Sequence, residues 1–360
     1  MLKKLKLLEN TRAAPYYRYA RSCYYRLRGG NRVSALIGAY FIPLLIRRQI
    51  ERIAKDPRPI FVGPWLSEVG FEVLYWIPFL NWVKAEFGLP RDRVTVISRG
   101  GAAQWYENIC SNYIDVFDYL TPEEFAHRNE RRVESSHTRK QRNLSSFDLD
   151  VLQSVKRAFD ADNFVLLHPS LMYRLFMLLW TNRRSISLLE RHTKFEELPQ
   201  PHPCEVASDL PTDYVAVKFY FSACFPDSIE NRAFISTMLT KLAQKVPVVQ
   251  LDTGLRVDDH NDSCIEGRRG IYTLRHLITP SNNLEVQTKV LARARAFIGT
   301  YGGFSYLAPF YGVPAISFYS NNNYLPVHLE VASRAFSTIK RGSFNVLGIK
   351  DIDLMKLVLA

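Results

Sequence analysis

Two adjacent glycines, Gly302 and Gly303, carry the strongest indication of chemistry in this sequence. They follow an apolar strand predicted over residues 296–299 and precede a short apolar helical run. The first amides of a helix have no acceptor within it, and the helix dipole favours negative charge at that end. A glycine also lets a phosphate approach the backbone, which a β-carbon would obstruct. The pattern predicts a binding site for the diphosphate of a sugar nucleotide.

Two glutamates after the first predicted strand could supply a base. Glu68 and Glu72 stand four residues apart, on one face of a predicted helix. They follow strand 60–62 at the edge where open α/β sheets bind ligands, and a carboxylate desolvated beside aromatic side chains can act as a general base. We assign Glu68 as the base and Glu72 as a positioning carboxylate; alternatively, one caps the helix and the other is solvated. The predicted acceptor-binding residues of this segment are Gly63, Trp65, Ser67 and Gly70.

Lys218 lies inside the apolar strand that begins the second half of the chain. A buried ammonium group needs a charged partner, and a diphosphate would provide one. Tyr220, Ser222 and Arg232 could share that diphosphate through hydrogen bonds. Alternatively, Lys218 lies at a sheet edge and points to water.

Other polar residues near predicted strand ends complete the predicted donor site. Asp252 follows a strand, where a carboxylate can bind ribose hydroxyls. Asn283, Glu285 and Gln287 precede or begin a helix that faces the glycine pair. Glu285 would hold a sugar or ribose hydroxyl, and an interaction with the dipole of that helix explains it equally well.

These residues require a framework of alternating strands and helices, which the sequence shows from Pro57 onward. Such alternation predicts parallel sheets with helices on both faces. We expect an α/β fold with two Rossmann-like domains facing a cleft, an acceptor domain over 56–200 and a nucleotide-sugar domain over 205–330. A tail, 331–360, can return to the first domain.

The predicted strands are residues 60–62, 94–98, 116–119, 164–168, 214–219, 246–251, 271–274, 296–299 and 315–318, and the predicted helices include 69–87, 231–244 and 284–295. Residues 127–147, rich in Arg, Ser, Asn and His, are predicted to form a mobile surface loop. Residues 199–203 contain three prolines and are predicted to link the domains, because closely spaced prolines resist both helix and central strand.

The positive charge is concentrated at the N-terminus. The chain has 47 Lys or Arg and 35 Asp or Glu, a formal charge of +12. Residues 1–55 carry 13 of the basic residues and two acidic ones, Glu9 and Glu51, so this arm holds 11 of the 12 net charges. Because a nucleic-acid enzyme more often spreads positive charge along its cleft, we expect no nucleic-acid partner.

The arm also contains an apolar stretch, residues 33–46, bracketed by Arg32, Arg47 and Arg48. It is too short to span a bilayer, which needs about 20 residues. It suffices for a helix in the membrane interface with its arginines on anionic headgroups; the alternative is a helix that packs on the core beside a solvated basic tail. Residues 1–10 lack the features of a signal peptide, and the five scattered cysteines lack zinc or disulfide spacing. We expect a cytoplasmic protein, peripheral on the inner membrane.

Several common enzyme signatures do not occur in the sequence. It contains no phosphate-binding loop of the P-loop type, no dinucleotide fingerprint after the first strand, no nucleophile elbow and no recognisable cysteine nucleophile motif. Three Asp-x-Asp pairs occur, but none follows the carboxyl end of a predicted strand, where a metal–diphosphate bridge would need it. We therefore predict no metal and no cofactor. The three pairs are Asp148/Asp150, Asp160/Asp162 and Asp351/Asp353.

The two halves and the motif Gly-Thr-x-Gly-Gly-x-x-x-Leu-Ala, which begins at Gly299, resemble GT-B glycosyltransferases. The pattern is similar to bacterial heptosyltransferase-type enzymes and, more remotely, to fucosyltransferases of the same fold. The resemblance covers about residues 57–345 in organisation and two short segments in motif, and it implies that Glu68 is the base. The chain lacks the acidic-Thr-Gly-x-x-His pattern of heptosyltransferases. The implied donor-binding residues are Thr300, Gly302, Gly303 and Ser305, with Tyr301 and Phe304 in the same segment.

Together these features predict metal-independent, inverting transfer from a nucleotide sugar to a lipid-linked or polysaccharide acceptor. Glu68 would deprotonate an acceptor hydroxyl, while Lys218, Arg232 and the amides near Gly302 would stabilise the leaving diphosphate. One alternative is a non-hydrolysing nucleotide-sugar epimerase, which needs two acid/base groups around one sugar. Another is a non-catalytic scaffold protein of a polysaccharide-assembly complex, which would bind membranes or partners but no nucleotide.

Overall fold

A computed structural model describes residues 32–159, 163–201, 210–255 and 261–352. They form two β-sheets flanked by helices, with a cleft between the sheets. The predicted α/β fold with two Rossmann-like halves is thereby confirmed. Parts of four predictions lie outside the described residues: arm residues 1–31, linker residues 202–203, the pair Asp160/Asp162, and tail residues 353–360.

The first half contains α1 (Arg32–Lys55), β1 (Ile60–Val62), α2 (Val69–Phe71), a π-helical turn (Glu72–Trp76), α3 (Ile77–Phe87), β2 (Val94–Ser98), β3 (Asn112–Asp115), α4 (Pro122–Ser136), α5 (Ser146–Phe159), β4 (Val165–Leu167), α6 (Ser170–Trp180) and α7 (Ser187–Glu190). Its sheet has the strand order β3-β2-β1-β4, and all pairs are parallel. In β1, Ile60 and Val62 face one apolar cluster and Phe61 faces another. Because both faces are covered, this strand is an unbroken apolar run in the sequence.

The second half contains β5 (Val215–Phe221), α8 (Ile229–Ala243), β6 (Val248–Gln250), β7 (Asn261–Ser263), β8 (Ile271–Thr273), α9 (Asn283–Arg293), β9 (Ala296–Thr300), α10 (Phe304–Phe310), β10 (Ala315–Tyr319), α11 (Pro326–Ile339) and β11 (Phe344–Gly348). The parallel strands follow the order β11-β10-β9-β5-β6-β8, and β7 adds an antiparallel pairing with β5. This is the order of a dinucleotide-binding Rossmann sheet, in which ligands bind where the strand order reverses, here between β5 and β9.

The third strand lies earlier than predicted. It covers Asn112–Asp115, whereas the sequence predicted residues 116–119. The Asp115 carboxylate accepts a hydrogen bond from the N–H of Phe117 at 2.9 Å, at the start of a 3₁₀ turn over Val116–Asp118 that ends the strand.

The prediction of a mobile surface loop over 127–147 is wrong. Residues 127–136 belong to α4, which begins with a capping box formed by Thr121 and Glu124. The segment after α4 is attached to the first sheet through Gln141, which is 1% exposed. Its amide donates to the carbonyl of Pro64 at 2.9 Å and accepts from the N–H of Leu66 at 3.0 Å. A buried side chain thus fixes a segment whose composition is that of a loop.

Helix α1 has one buried and one exposed apolar face. Ile46 and Ile50 belong to the core of the first half. The opposite face leaves four large apolar side chains between 40% and 60% exposed: Tyr40, Phe41, Leu44 and Leu45. Among the described residues, no helix has both the length and the apolar character that membrane crossing requires.

The chain after β10 contacts both halves. Helix α11 brings His328 against Tyr75 and Arg334 against Glu190, which both belong to the first half. Strand β11 instead pairs with β10 at the edge of the second sheet. The predicted tail, 331–360, therefore begins within α11 and, as far as it is described, contributes to both halves.

Candidate functional site

A cleft of about 400 Å³ lies between the two sheets and is lined by residues of both halves. The two loops that the sequence singled out meet there through their glycines. A β-carbon on Gly70 would lie 3.0 Å from the amide nitrogen of Gly303, so glycine permits this close approach. Glu68 and Lys218 line the same cleft from opposite halves.

Glu68 occupies the first position before helix α2, with an extended backbone (φ −70°, ψ 146°). Its side chain makes no capping hydrogen bond to that helix, is partly buried and lines the cleft. Lys140 lies near it, with its ammonium nitrogen 2.9 Å from the centroid of the Phe71 ring. Burial lowers the pKa of Lys140 to about 8, while the neighbouring Glu68 favours its charged form.

Glu72 does not line the cleft. It is fully buried, and its Oε1 accepts hydrogen bonds from the hydroxyls of Ser98, at 2.6 Å, and Tyr106. Its other oxygen has no partner within the described residues. Burial raises the pKa of Glu72 to about 7, against the opposing effects of nearby Arg99 and these hydrogen bonds. The alternative that one glutamate caps the helix while the other is solvated is wrong, because Glu68 makes no capping hydrogen bond and Glu72 is fully buried.

Lys218 already has an anionic partner within the protein. Its Nζ lies 2.8 Å from a carboxylate oxygen of Asp262 on β7 and 2.8 Å from the carbonyl oxygen of Leu251. The side chain is 11% exposed and lies 5.2 Å from the centroid of Phe304. Lys218 is therefore neither at a solvated edge nor dependent on a diphosphate for charge compensation.

The two glycines, Gly302 and Gly303, line the cleft and also leave room for the side chain of Tyr220. A β-carbon on Gly302, where φ is 110°, would lie 2.8 Å from the Tyr220 hydroxyl. The N–H of Gly302 donates to the hydroxyl of Ser305 at 3.0 Å, so this amide is not available as predicted. Thr300 is buried and joins β9 to β5 through hydrogen bonds with both backbone groups of Tyr220. Ser305 and Thr300 are thus internal to the turn, whereas Tyr301, Gly303 and Phe304 line the cleft.

Two of the remaining predicted donor residues line the cleft and two do not. Asn283 and Gln287 line it, and Oε1 of Gln287 is buried without a hydrogen-bond partner. Asp252 is 3% exposed and pairs with Arg275, so the protein itself satisfies the carboxylate predicted to bind ribose. Arg232 is exposed outside the cleft.

Arg232 pairs with Asp227 and covers the ring of Phe221 at 4.9 Å. It lies away from the cleft because helix α8 directs it to the surface of the second half. Glu285 pairs with Lys289, and both line a second cavity of about 370 Å³. Neither Arg232 nor Glu285 contacts the site for which the sequence proposed it.

Of the four predicted acceptor residues, Gly70 lines the cleft, whereas Gly63, Trp65 and Ser67 do not. Trp65 is fully buried, with its ring 5.8 Å from Trp76 and 5.9 Å from Tyr173. Gly63 has φ 120°, and a β-carbon there would lie 2.4 Å from the carbonyl oxygen of Ile97. Aromatic packing around Trp65 and the close backbone contact at Gly63 leave no room for an acceptor. These two residues therefore shape the turn and do not bind the acceptor.

Ser67 is also buried and connects two cations that the sequence analysis missed. Its carbonyl accepts from Arg99 Nη2 at 2.6 Å, and its hydroxyl donates to the carbonyl of Arg139 at 3.4 Å and accepts from Tyr173. Arg99 and Arg139 both line the cleft. Arg99 directly follows strand β2 and precedes two glycines, which is the same signal that identified Glu68 after β1.

His328 is a further cleft residue that the sequence did not indicate. Its Nδ1 shares a hydrogen bond of 2.5 Å with the Tyr75 hydroxyl, and its ring packs edge-on against Phe71, Tyr75 and Trp180. Burial, together with the charge of Lys140, lowers the pKa of His328 to about 3. A neutral imidazole from the second half is thus inserted among aromatic rings of the first. In the described ranges, no group of three or more His, Cys, Asp or Glu is arranged to hold a metal ion.

Comparison with known proteins gives structural matches only. No protein-family model matches the chain, and no curated protein sequence matches it. The structure of Escherichia coli ADP-heptose lipopolysaccharide heptosyltransferase II has a TM-score of 0.41 and 12% identity, covering 81% of this chain and 90% of that chain. A family 9 glycosyl transferase from Veillonella parvula has a TM-score of 0.40 and 15% identity, covering 73% and 81%.

The iron-containing dodecameric glycosyltransferase TibC from enterotoxigenic Escherichia coli is a third match. Its TM-score is 0.40 at 12% identity, covering 72% of this chain and 58% of TibC, so the match spans less than two-thirds of that protein. The matched structures include heptosyltransferases, the group that the sequence resembles. At these identities the similarity concerns the backbone architecture.

Proposed function

We propose that this protein is a glycosyltransferase that moves a sugar from a nucleotide-sugar donor to a lipid-linked or polysaccharide acceptor. The observation that carries the proposal is the cleft shared by both sheets, which Glu68 lines from the first half and Lys218 and the glycine pair from the second. Its volume of about 400 Å³ falls in the usual range of small-molecule sites, about 300–1,000 Å³.

The donor is assigned to the wall formed by the second half. Lys218 lies on β5 and Gly303 follows β9, so both flank the reversal in strand order where Rossmann sheets bind nucleotides. The buried Oε1 of Gln287 in this wall has no partner in the described part of the chain, and a ligand hydroxyl or amine could donate to it. These groups would hold the nucleotide and its diphosphate.

The reaction assigned to the cleft is a direct displacement without a metal ion. The Glu68 carboxylate accepts the proton of an acceptor hydroxyl, whose oxygen attacks the anomeric carbon. The bond from that carbon to the diphosphate breaks, and Lys218 and the amide of Gly303 stabilise the negative charge on the leaving group. Attack from the side opposite the diphosphate inverts the anomeric configuration. Glu72 would act by positioning, since it holds the end of β2 through Ser98.

The N-terminal arm is assigned to an anionic membrane surface, peripheral on the cytoplasmic side. Four exposed apolar side chains of α1 lie close in sequence to Arg47 and Arg48, and the preceding residues are strongly basic. This combination suits a helix lying in a bilayer interface. Co-sedimentation should be stronger with vesicles containing anionic lipid than with neutral ones, and replacing Tyr40 and Leu44 by serine should weaken it.

The proposed activity is tested by thermal shift against UDP-, GDP-, CMP-, ADP- and dTDP-sugars, followed by product analysis. One nucleotide class should raise the midpoint of unfolding, because a ligand at about 100 times its Kd stabilises the folded state by about 2.7 kcal/mol. Incubation of that sugar without acceptor should leave its configuration unchanged. Epimerisation under these conditions would favour the epimerase, and the absence of any nucleotide response would favour the scaffold protein.

A further inference from the structure

Arg99 is a buried cation that the described part of the chain leaves without a salt bridge. It is 4% exposed, and its Nη2 donates to the carbonyl oxygen of Ser67 at 2.6 Å. Its Nε is buried without a hydrogen-bond partner. The buried Glu72 lies near enough for the charge of Arg99 to lower its pKa, but its carboxyl accepts hydrogen bonds from Ser98 and Tyr106 and not from Arg99. The other close contact of Arg99 is the ring of Phe125, whose centroid lies 5.8 Å from the Arg99 Cζ.

Such a group is costly unless it has an anionic partner, because burial removes the water that solvates the charge. Lys218 on the opposite wall shows how this protein satisfies a buried cation, since it is paired with Asp262 at 2.8 Å. Arg99 lacks that arrangement although it lines the same cleft. A guanidinium with unused N–H groups is suited to the oxygens of a phosphate or carboxylate.

The position of Arg99 indicates which substrate carries this anion. Arg99 and Arg139 are joined through Ser67, the residue that precedes Glu68, so both cations lie on the wall of the proposed base. Lys140 follows Arg139 and lies close to Glu68. The donor diphosphate belongs to the other wall, at the strand reversal of the second sheet. A molecule whose hydroxyl reaches Glu68 would bring its own charged group to Arg99.

We propose that Arg99, assisted by Arg139, binds an oxyanion on the acceptor, so that the acceptor is a phosphate- or carboxylate-bearing sugar rather than a neutral one. The inference rests on the proposed function for its assignment to the acceptor. Its test measures binding and needs no turnover. A missing transferase activity would therefore leave the oxyanion site standing, and a missing oxyanion site would leave the transferase activity standing.

The test uses the full-length protein and three probes, glucose 6-phosphate, glucuronate and glucose, titrated by calorimetry or ligand-observed NMR. They differ in carrying a phosphate, a carboxylate or no charge, so the first two distinguish the sources of the oxyanion. At least one charged probe should bind about tenfold or more tightly than glucose, as expected for a charge-assisted hydrogen bond to a buried arginine. Equal binding of all three probes by the wild-type protein would overturn the proposal.

Variants then locate the site. Arg99→Gln should reduce the preference for the charged probe to less than about twofold, whereas Arg131→Gln, the same substitution at an exposed position of α4, should retain it. Because Arg99 is buried, Arg139→Gln provides a surface variant that should weaken the charged probe without unfolding the protein.

A parallel titration with ADP and UDP distinguishes acceptor from donor. Both nucleotides should keep their wild-type affinities in Arg99→Gln. If Arg99→Gln weakens a nucleoside diphosphate as much as the charged sugar, the oxyanion at Arg99 belongs to the donor, and the assignment to the acceptor is overturned. Unchanged binding of the charged sugar by a folded Arg99→Gln would also overturn it.

Discussion

The two walls of the cleft satisfy their charged groups in different ways. On the wall formed by the second half (the second wall), Lys218 is paired with Asp262. The Gly302 amide donates a hydrogen bond to Ser305, and the Tyr220 hydroxyl packs against Gly302. On the wall formed by the first half (the first wall), Arg99 is 4% exposed and forms no salt bridge within the described residues. The second wall, which carries the glycine motif, therefore satisfies most of its polar groups within the protein. The cation without a salt bridge, Arg99, lies on the opposite wall. An unsatisfied group points to a ligand more directly than a residue type does.

The greatest loss of activity is predicted for a change at Glu68, the carboxylate that lines the first wall. Glu68→Gln should lower the rate of transfer by about 10²–10⁴-fold, because an amide cannot accept the acceptor's proton. Nucleotide affinity should stay at the wild-type level, since the donor is assigned to the second wall. Initial rates measure the loss of transfer, and calorimetry measures the nucleotide affinity.

Glu123→Gln makes the same change at an exposed position in the first turn of α4 and serves as the control. It should leave the rate unchanged. Undiminished turnover in Glu68→Gln would remove Glu68 from the base role and would leave the first wall without an identified proton acceptor.

The first wall also rests on a buried carboxyl group, Glu72, whose pKa is raised by burial from 4.5 to about 7. Below pH 4.5 this group is protonated in both states, so its full contribution to stability is present. Between pH 4.5 and 7 the unfolded chain loses the proton while the folded protein retains it, and the free energy of unfolding falls. The loss should total about 3 kcal/mol and level off above pH 7.

Urea unfolding of wild type and Glu72→Gln at pH 5, 6, 7 and 8 isolates this contribution. Glutamine cannot titrate but can still accept hydrogen bonds from Ser98 and Tyr106. The difference in the free energy of unfolding between the two proteins should therefore change across this range in favour of the variant. A difference that is constant with pH would show that Glu72 titrates normally.

The glycine pair of the second wall has two explanations, packing against Tyr220 and access for a phosphate. Gly302→Ala should cost about 1–3 kcal/mol of stability, because alanine at φ 110° is strained and its β-carbon would contact the Tyr220 hydroxyl. Tyr220→Phe removes the one atom within 4 Å of that β-carbon. In this background the same substitution should cost about 1 kcal/mol less.

A double-mutant cycle by thermal or urea unfolding gives the coupling between the two positions. Nucleotide binding by the double variant then separates the explanations. Restored stability with lost binding would assign the space above Gly302 to the ligand, whereas equal costs in both backgrounds would contradict the packing explanation.

Local sequence patterns were sufficient to predict the fold and to locate cleft residues at the carboxyl ends of strands in each sheet. Runs of mainly apolar residues located β1, β2 and β9, and the rule that ligands bind beyond strand ends placed Glu68 in the cleft. The same rule applies to Arg99, which follows β2 and precedes two glycines, and this signal was missed.

The remaining features depend on residues that are distant in sequence. Asp262 is 44 residues from the lysine that it neutralises, and His328 is 253 residues from Tyr75. No spacing rule connects such pairs, because they meet only when the antiparallel strand β7 pairs with β5 or when helix α11 packs onto the first half. Buried Gln141 fixes its segment in the same way, and for that reason composition alone misidentified residues 127–147 as mobile.

A final pair of variants tests whether the carboxylate of Asp262 keeps anions away from Lys218. Asp262→Asn keeps the shape of the side chain and an oxygen that can accept from Lys218, but it removes the competing negative charge. If Lys218 binds the leaving diphosphate, the affinity for the nucleoside diphosphate of the preferred donor should rise by about tenfold, the scale of one charge-assisted hydrogen bond. Lys218→Met should lower it by a similar factor. Asp227→Asn is the matched control, because Asp227 pairs with Arg232 outside the cleft and its loss should leave nucleotide affinity unchanged. If Asp262→Asn and Lys218→Met both bind the nucleotide as the wild type does, Lys218 is a structural cation, and the diphosphate must be held by backbone amides or by Arg99.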